Sequence, residues 1–419
     1  MRYAFIVLFA LSVFLFGCNV LSDNVSTGGI PSPTPFQPGS DNASDSLYAG
    51  AAPTPLSLPT LTPTPPTPTP VVILPEYLPA GVGVPVVVLP PAINPLTGLP
   101  PSDPSLLERR PMAIKVANYP RYIRPQSGLT LADQVFEYYI EEGLTRFIAI
   151  FYGNDSEWVG PVRSGRFFDE HIARMYQAYL VFKFADARVL SYFRGTDLAD
   201  FLVVPSNGAC PPFRIMETRQ IEVYNNSYFN TLLWDECVNE NDLRNDRPTL
   251  RPMLFSDGVQ LPNSLPAERI FTYYSLDSYH YWQYDANRGE YLRYQETRDM
   301  RNGKAESYEL LVDAVTGDVV HASNIVVLFA YHTFSNPYDE DDEVYHIDLT
   351  GSGEAYIFRN GVGITGKWYR INKNQPLLLT DAFGSAVYLR PGITFYEVIG
   401  SYSYASQGEG EWFFHHETP

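Results

Sequence analysis

Arginine residues are concentrated in one part of this acidic chain, and their guanidinium groups could bind an anion. The chain has 419 residues, with 47 Asp and Glu against 29 Lys and Arg, and a formal net charge of −18. A guanidinium group binds phosphate or carboxylate through two parallel hydrogen bonds. We therefore predict an anion-binding cleft that is formed by Arg124, Asp133, Glu137, Arg146, Arg163 and Arg166.

Two other interpretations of these residues stay open. In the first, Arg163 and Arg166 form buried structural ion pairs with Asp133, Glu137 or Asp169, because perturbed charged groups mark functional sites only in some cases. In the second, Asp133 lies at the start of one strand beside Arg163 at the end of another. Asp133 would then hold Mg²⁺ through water while Arg163 binds a phosphate group.

The sequence contains no convincing catalytic, cofactor or metal motif. Ser164 lies between two arginines, but no Gly-x-Ser-x-Gly turn surrounds it, and the nearest histidine is His171 on a predicted helix. Glycine-rich phosphate-binding loops and zinc-ligand spacings are also missing from the sequence. The acidic run Asp339–Glu343 is interpreted as a solvated loop rather than a calcium site. We expect no catalytic residue, no cofactor and no metal, and the negative charge argues against nucleic acid.

The N-terminus predicts export and a lipid anchor. Arg2 precedes an apolar run from Tyr3 to Phe16, which is too short to span a bilayer of ~30 Å and is typical of a signal peptide. A small residue, Gly17, then precedes Cys18, as in a bacterial lipobox. We therefore predict a signal peptide over 1–18, lipidation of Cys18, and attachment to the extracytoplasmic face of the cell membrane.

A Pro/Thr-rich linker is predicted over 19–91. Residues 19–90 contain no Lys, Arg or His, and Thr62–Pro70 is a run of Thr-Pro repeats. Such a composition cannot bury enough apolar surface to fold, so we expect a disordered tether. The two remaining cysteines, Cys210 and Cys237, would be able to pair in an oxidising compartment, and separate buried thiols are the alternative.

The folded part is predicted to have an α+β fold in two domains. In 92–250, we predict a strand over 112–117 and then a three-strand meander over 134–140, 145–152 and 158–163, the last of which returns along the sheet. Helices over 167–178 and from Asp186 would pack on this mixed sheet. In 264–405, short apolar and aromatic runs separated by Gly and Asn predict a β-rich domain. Its aromatic residues form either a sugar-stacking platform or ordinary core: Tyr273, Tyr274, Tyr281, Trp282 and Trp368.

The chain resembles the YerB-like lipoprotein family over roughly residues 92–400. The resemblance is carried by motifs such as Pro111–Pro120, Arg124–Leu129, Gly160–Arg166 and, later in the chain, Gly366–Trp368 and Leu389–Gly392. It implies two domains of unknown function and an extracytoplasmic location, but no reaction. The family's Ala-Pro-His-Asn motif corresponds here to Val223–Tyr228, which contains no histidine.

We expect a binding or scaffolding module for an anionic ligand of the cell envelope, anchored in the membrane by its N-terminal lipid. The first alternative is a phosphotransferase that acts on a cell-wall polymer linked to polyprenyl pyrophosphate. This alternative depends on a weak similarity of Asp133 and Pro161-Val-Arg163 to the pattern in LytR-CpsA-Psr enzymes. The second alternative is a purely structural interaction protein.

Overall fold

The computed structural model describes residues 79, 81–83, 85, 87, 89–205, 212–339 and 341–419. The predicted signal peptide, the lipidated Cys18 and most of the predicted linker lie outside the described residues. Cys237 is buried and disulfide-bonded, whereas its predicted partner Cys210 lies outside the described residues. Among the residues that are described, no helix is both long enough and apolar enough to span a bilayer.

Strands dominate the described residues, and three short α-helices accompany them. The strands of the first half are β1 (Met112–Ala117), β2 (Gln134–Tyr139), β3 (Thr145–Phe151), β4 (Tyr179–Val181), β5 (Leu202–Val203), β6 (Phe213–Ile215) and β7 (Ser227–Phe229). The strands of the second half are β8 (Leu265–Pro266), β9 (Arg269–Tyr273), β10 (Tyr279–Asp285), β11 (Glu290–Glu296), β12 (Tyr308–Leu310), β13 (His321–Ala322), β14 (Asn324–Phe334), β15 (Tyr345–Asp348), β16 (Gly351–Arg359), β17 (Val362–Arg370), β18 (Leu378–Asp381), β19 (Thr394–Gly400), β20 (Tyr404–Gln407) and β21 (Glu411–His415). The helices are α1 (Asp169–Met175), α2 (Ala187–Arg194) and α3 (Trp234–Asn241).

A mixed sheet of 12 strands in the described residues runs through both halves of the chain. Its hydrogen-bonded order is β18-β17-β16-β14-β19-β2-β3-β1-β4-β5, with β15 beside β14 and β8 beside β17. A second sheet of 7 strands has the order β12-β11-β10-β9-β21-β20, with β13 beside β11, and β6 pairs with β7. The predicted α+β fold class, with a mixed sheet and helices followed by a β-rich part, is confirmed.

The strand β19 joins the two halves of the chain, because it lies between β14 and β2 and runs parallel to both. This register places Tyr396 beside Phe136 and Glu397 beside Glu137. The rings of Phe136 and Tyr396 stack with their centroids 4.3 Å apart. The two predicted domains therefore share one sheet, and the boundary between them stays a prediction.

The residues of β2 alternate between the helices on one face of the large sheet and the second sheet on the other. Successive side chains of a strand point to opposite faces. Tyr138 faces the helical side, where its ring lies 4.5 Å from that of Phe168 just before α1. Glu137 faces the other side, where Arg293 of β11 donates a hydrogen bond of 2.6 Å to it. Every residue of β2 is buried, because both faces of the strand are covered.

The local predictions for the first half agree with the structure except at one strand. Asp186 caps α2, since its side chain accepts a hydrogen bond from the backbone N–H of Arg188. The predicted returning strand over 158–163 is wrong, because this segment makes only isolated bridges, such as that between Val162 and Val116. Pro161 has no N–H to donate, which prevents a regular ladder at this point.

Candidate functional site

Arg163 and Lys183 lie side by side at the edge where the parallel strands β1 and β4 end. The backbone N–H of Arg163 donates to the carbonyl of Lys115 at 3.1 Å, and the N–H of Lys183 donates to the carbonyl of Arg163 at 2.9 Å. In open sheets, ligands commonly bind just beyond the carboxyl ends of parallel strands. This position makes the pair the first candidate for a binding site.

Arg163 and Lys183 have only neutral hydrogen-bond partners. The guanidinium of Arg163 donates to the side-chain oxygen of Asn225, and the Nζ of Lys183 donates to the carbonyl of Val223 at 3.2 Å. Within the part of the chain that the structure describes, no carboxylate oxygen lies within 4.0 Å of either cation. Burial lowers the pKa of both groups, and each pKa is lowered further by a neighbouring cation.

Exposed apolar side chains surround the two cations. Phe184 is 64% exposed, Val223 66%, Tyr224 55% and Tyr122 52%. The Arg163 guanidinium lies 5.9 Å from the centre of the Tyr224 ring, and the Lys183 Nζ lies 5.6 Å from that of Phe184. We call this surface the Arg163 face and define it by Tyr122, Arg163, Lys183, Phe184, Val223, Tyr224 and Asn225.

The backbone at Phe184 is strained. Its φ of +62° lies in the left-handed region, which is uncommon for any residue other than glycine and more so for a bulky aromatic one. Strain of this kind costs about 1–3 kcal/mol and concentrates at functional sites. The carbonyl of Phe184 accepts a 3.0 Å hydrogen bond from the N–H of Gly165, which helps to hold the conformation. The strained backbone supports a binding role for the Arg163 face.

Arg146 and Arg166 adjoin the Arg163 face, but they share a carboxylate. The Nε of Arg166 donates to Glu141 at 2.7 Å, and the guanidinium of Arg146 lies 3.9 Å from the same carboxylate. Arg146 also donates to the carbonyl of Ser164 at 2.9 Å. Both guanidinium groups therefore hold the 163–166 segment in place, whereas Arg163 has no carboxylate partner in the described part of the chain.

A buried ion pair lies behind this segment. The Nζ of Lys115 lies 2.9 Å from a carboxylate oxygen of Asp169, and the hydroxyl of Tyr138 hydrogen-bonds to the same oxygen. Lys115 and Asp169 have no exposed side-chain surface. Burial lowers the pKa of Lys115 to about 7, although Asp169 opposes that shift. The pair fixes the start of α1 against β1 and β2.

Glu137 belongs to a second buried network on the opposite face of the sheet. It accepts hydrogen bonds from Arg293 at 2.6 Å and Asn118 at 3.0 Å. Glu137, His280 and Glu397 have ligand atoms within 4.8 Å of one another, which is close enough for a metal ion. The guanidinium of Arg293 lies 3.4 Å from Glu397, so its positive charge already serves both carboxylates and opposes a cation. This network connects the two sheets.

The electrostatics of Glu397 agree with a structural role. Burial alone would raise its pKa, but the contacts with His280, Arg293 and Trp282 outweigh that effect and lower the pKa to about 2. Trp282 donates to the carboxylate at 2.9 Å, and the His280 Nε2 lies 3.0 Å from it. Glu397 is therefore ionised and fully hydrogen-bonded inside the protein.

Arg124 and Asp133 lie in two further places, away from the Arg163 face. Arg124 forms a 2.7 Å ion pair with the buried Glu296 of β11. Asp133 lies at the opposite end of the strands, just before β2. Its carboxylate accepts hydrogen bonds from the backbone N–H groups of Tyr152 at 2.6 Å and Gly153 at 2.8 Å. The six predicted residues therefore do not form one cleft. Arg146, Arg163 and Arg166 lie together, Arg124 and Glu137 share Asn118 as a hydrogen-bond partner in the buried network, and Asp133 lies apart from both groups.

Asp133 should give the protein a measurable pH dependence. Burial raises its pKa from 3.8 to about 7, against the opposing effect of the hydrogen bonds from Gly153 and Tyr152. Between about pH 4 and pH 7 the folded state keeps a proton that the unfolded state has released. The stability due to this group therefore falls as the pH rises through that window, by up to about 1.4 kcal/mol per pH unit.

The variant Asp133→Asn cannot ionise and should lack this slope. Urea unfolding across the same pH range would show the difference in unfolding free energy between wild type and variant changing steadily with pH. The exposed Asp235→Asn serves as the control. If the plots of unfolding free energy against pH were parallel for wild type and Asp133→Asn, Asp133 would not titrate in this window.

Sequence reasoning missed three residues that matter at this site: Lys115, Lys183 and Phe184. The sequence carries a signal for both lysines, since each stands alone within an apolar run that forms or extends a buried strand. A charged residue in a fully buried strand needs a partner or a function. No sequence signal marks Phe184, because the strain at its backbone depends on the fold.

The aromatic residues proposed as a sugar platform lie in different environments. Tyr274, Trp282 and Trp368 are buried in the core, whereas Tyr273 and Tyr281 are only partly buried. The ring of Tyr281 stacks on Tyr294 of the neighbouring strand with centroids 4.6 Å apart. Cross-strand stacking of this kind stabilises a sheet, and it accounts for Tyr281 without a ligand.

Two sequence profiles of one family match this chain. The N-terminal domain of "Protein of unknown function (DUF3048)" matches residues 96–243, and its C-terminal domain matches residues 270–396. The chain therefore belongs to this family, and the resemblance to YerB-like lipoproteins is confirmed.

One curated protein and one solved structure illustrate the relationship. "Putative lipoprotein YerB" of Bacillus subtilis (strain 168) is 27% identical over 327 residues, which cover 76% of this chain and 89% of the relative. The crystal structure of the YerB protein from Bacillus subtilis aligns with a TM-score of 0.61 at 24% identity, over 73% of this chain and 96% of that one. The structural match shows a shared fold.

Proposed function

We propose that this chain is a membrane-anchored lipoprotein on the extracytoplasmic face of the membrane, and that its Arg163 face binds an anionic envelope ligand with an apolar group. A lipid-linked phosphate has this chemistry. The name of the Bacillus relative and the lipobox-like sequence at Cys18 support the anchor. One observation carries the binding proposal: Arg163 and Lys183 are two neighbouring cations without a carboxylate partner among the described residues.

The charge distribution around the Arg163 face favours an anion. Arginine and lysine are rarely buried without a paired anion. The neighbouring arginines Arg146 and Arg166 share Glu141. Burial is the main cause of the lowered pKa of Arg163, and the positive charge of Arg146 lowers that pKa further. Glu222 approaches from one side, but its carboxylate accepts hydrogen bonds from Tyr122 and Asn225. A negative ligand would therefore relieve the repulsion between neighbouring cations.

The apolar side chains of the face favour a ligand that is not a simple ion. Phe184, Val223 and Tyr224 are each more than half exposed, although each would gain by removal from water. Exposed apolar surface next to polar groups is typical of interaction sites. A phosphate on an apolar chain would contact both parts of the face.

The two alternative functions make different demands on the structure. A phosphotransferase of the kind considered needs Asp133 beside Arg163. Asp133 precedes β2, whereas Arg163 lies at the carboxyl end of β1, and β3 separates these two parallel strands. A purely structural protein needs no free cation on this face. The binding proposal is therefore the one that the geometry supports best.

Calorimetric titration of the full chain with geranyl phosphate, a water-soluble prenyl phosphate, tests the proposal. Geraniol and inorganic phosphate separate the apolar and the anionic contributions to binding. We expect Arg163→Gln and Lys183→Gln each to weaken geranyl phosphate binding about 10- to 100-fold, because each variant removes a hydrogen bond to a charged group.

Arg214→Gln is the matched control. Arg214 is a surface arginine beside an aromatic ring, as Arg163 is, but it already pairs with Glu157. Its substitution should leave binding unchanged. Equal affinities for wild type and both Arg163 face variants, or no binding by the wild type, would reject the proposal.

A further inference from the structure

A separate cavity lies between α1 and β15. It has a volume of about 220 Å³. Its lining comes from α1 and its flanks, from α2, and from the strands and turns of the second half, and it includes Phe167, Glu170, His171, His346, Arg370 and Lys373. The cavity therefore lies where the two matched halves of the family meet.

Arg370 is the most unusual residue in this lining, because it is a buried cation without a carboxylate partner among the residues that the structure describes. Only 1% of it is exposed. Its guanidinium donates to the carbonyls of Leu349 at 3.0 Å, His171 at 2.9 Å and Lys373 at 2.5 Å. Its buried Nε has no hydrogen-bond partner. A buried charge without a counter-ion is unfavourable unless an anion is supplied.

Glu170 and Asp348 offset this positive charge only from a distance, because neither forms a direct ion pair with Arg370. Glu170 is the one acidic residue in the lining, and its carboxylate already accepts from Arg174 at 2.6 Å and from Tyr192. Asp348 is nearby and accepts from Thr350, but it lies more than 4.0 Å from the nitrogens of Arg370. Lys373 also lines the cavity without a carboxylate within that distance in the described part of the chain.

His171 supplies a neutral donor beside the cations. Its Nδ1 accepts a 2.8 Å hydrogen bond from Arg370, so the proton of the neutral ring lies on Nε2. Burial lowers the pKa of His171 to about 4, and the positive charge of Arg370 contributes to that shift. The ring therefore stays neutral at pH 7, and its second nitrogen can donate to an anion without adding charge.

The geometry points to a second binding site, at which Arg370, Lys373 and His171 hold a small dianion such as a phosphate or a dicarboxylate. The cavity is smaller than the roughly 300–1,000 Å³ of most sites for drug-sized ligands, so a polymer does not fit within it. The stacked rings of Phe167 and His346, 4.1 Å apart, form an apolar wall for the remainder of a small ligand. A bound anion would connect the two halves of the protein.

Equilibrium dialysis of the full chain against radiolabelled inorganic phosphate and, separately, succinate tests this site. We expect one of the two dianions to bind in the wild type. Lys373→Gln should weaken that binding about tenfold, and Lys373→Glu should weaken it further, because the new carboxylate repels the anion. Arg370→Met should abolish binding, but it also removes four structural hydrogen bonds, three to carbonyls and one to the ring of His171.

Two controls separate this site from the Arg163 face. Lys304→Gln removes an exposed lysine that pairs with Asp299, and it should bind like the wild type. Arg163→Gln should retain the phosphate or succinate binding that Lys373→Gln weakens, whereas Lys373→Gln should retain geranyl phosphate binding. Absence of binding of both dianions in the wild type, or binding that Lys373→Gln and Lys373→Glu leave unchanged, would overturn the inference.

Discussion

Replacing Arg293 by methionine should lower the free energy of unfolding by about 3–5 kcal/mol, because two buried carboxylates would lose their shared cation. Glu137 and Glu397 lie directly opposite each other on the neighbouring strands β2 and β19. Like charges in this position repel. The Arg293 guanidinium offsets the repulsion with contacts of 2.6 Å to Glu137 and 3.4 Å to Glu397.

The remaining partners cannot replace Arg293. His280 lies 3.0 Å from Glu397 and 3.8 Å from Glu137, so even a protonated ring would leave one of the two negative charges uncompensated. Methionine fills much of the volume of arginine, so the loss should reflect charge rather than a cavity. The expected loss of stability is therefore large even though methionine is an apolar side chain that suits a buried position.

Chemical denaturation of Arg293→Met and Arg269→Met measures this effect against a matched exposed pair. Arg269 pairs with Glu411 on the same seven-stranded sheet, but its side chain is 47% exposed. Surface pairs contribute about 0–1 kcal/mol, so Arg269→Met should change stability little. If the two variants lost similar amounts, the buried network would not carry the connection between the sheets.

The local elements of the fold could be predicted from sequence because their signals are local. Alternating and β-branched residues predicted 112–117, 134–140 and 145–152, which the structure shows as β1, β2 and β3 within one residue. The prediction of a returning strand over 158–163 was wrong because Gly160-Pro161 interrupts the pairing. The insertion of β19 between β14 and β2 had no local signal, because parallel pairing depends on contacts between distant parts of the chain.

The candidate site shows the same limit more sharply. The sequence drew attention to Arg163 and Arg166, but it could not say which arginine would be left without an acid. The partner of Arg166 is Glu141, which was not among the expected partners. Arg124 pairs with Glu296, 172 positions further along the chain. An arginine becomes a binding residue only when its neighbours leave it unpaired, and that depends on tertiary contacts.

The buried pair of Lys115 and Asp169 should show strongly unequal single-variant effects. Asp169→Asn should lower the free energy of unfolding by about 3–5 kcal/mol, because it leaves the buried Lys115 without a carboxylate, so the amine must either stay charged without a partner or release its proton. Burial is the main cause of the lowered pKa of Lys115, and the positive charges of Arg146 and Arg166 lower that pKa further. Lys115→Met should be milder, at about 1–3 kcal/mol, because Asp169 keeps Tyr138 and the 2.7 Å hydrogen bond from the Arg166 N–H.

A double-mutant cycle tests whether the two residues act as a pair. The variant with both Lys115→Met and Asp169→Asn should lose less stability than the sum of the single losses, since no buried charge remains at that position. The exposed pair of Lys304 and Asp299 gives the reference cycle, for which near-additive losses are expected. Additive losses at Lys115 and Asp169 would mean that each is held by other neighbours. The 163–166 segment would then need a different anchor behind it, because Asp169 accepts from the backbone of Arg166.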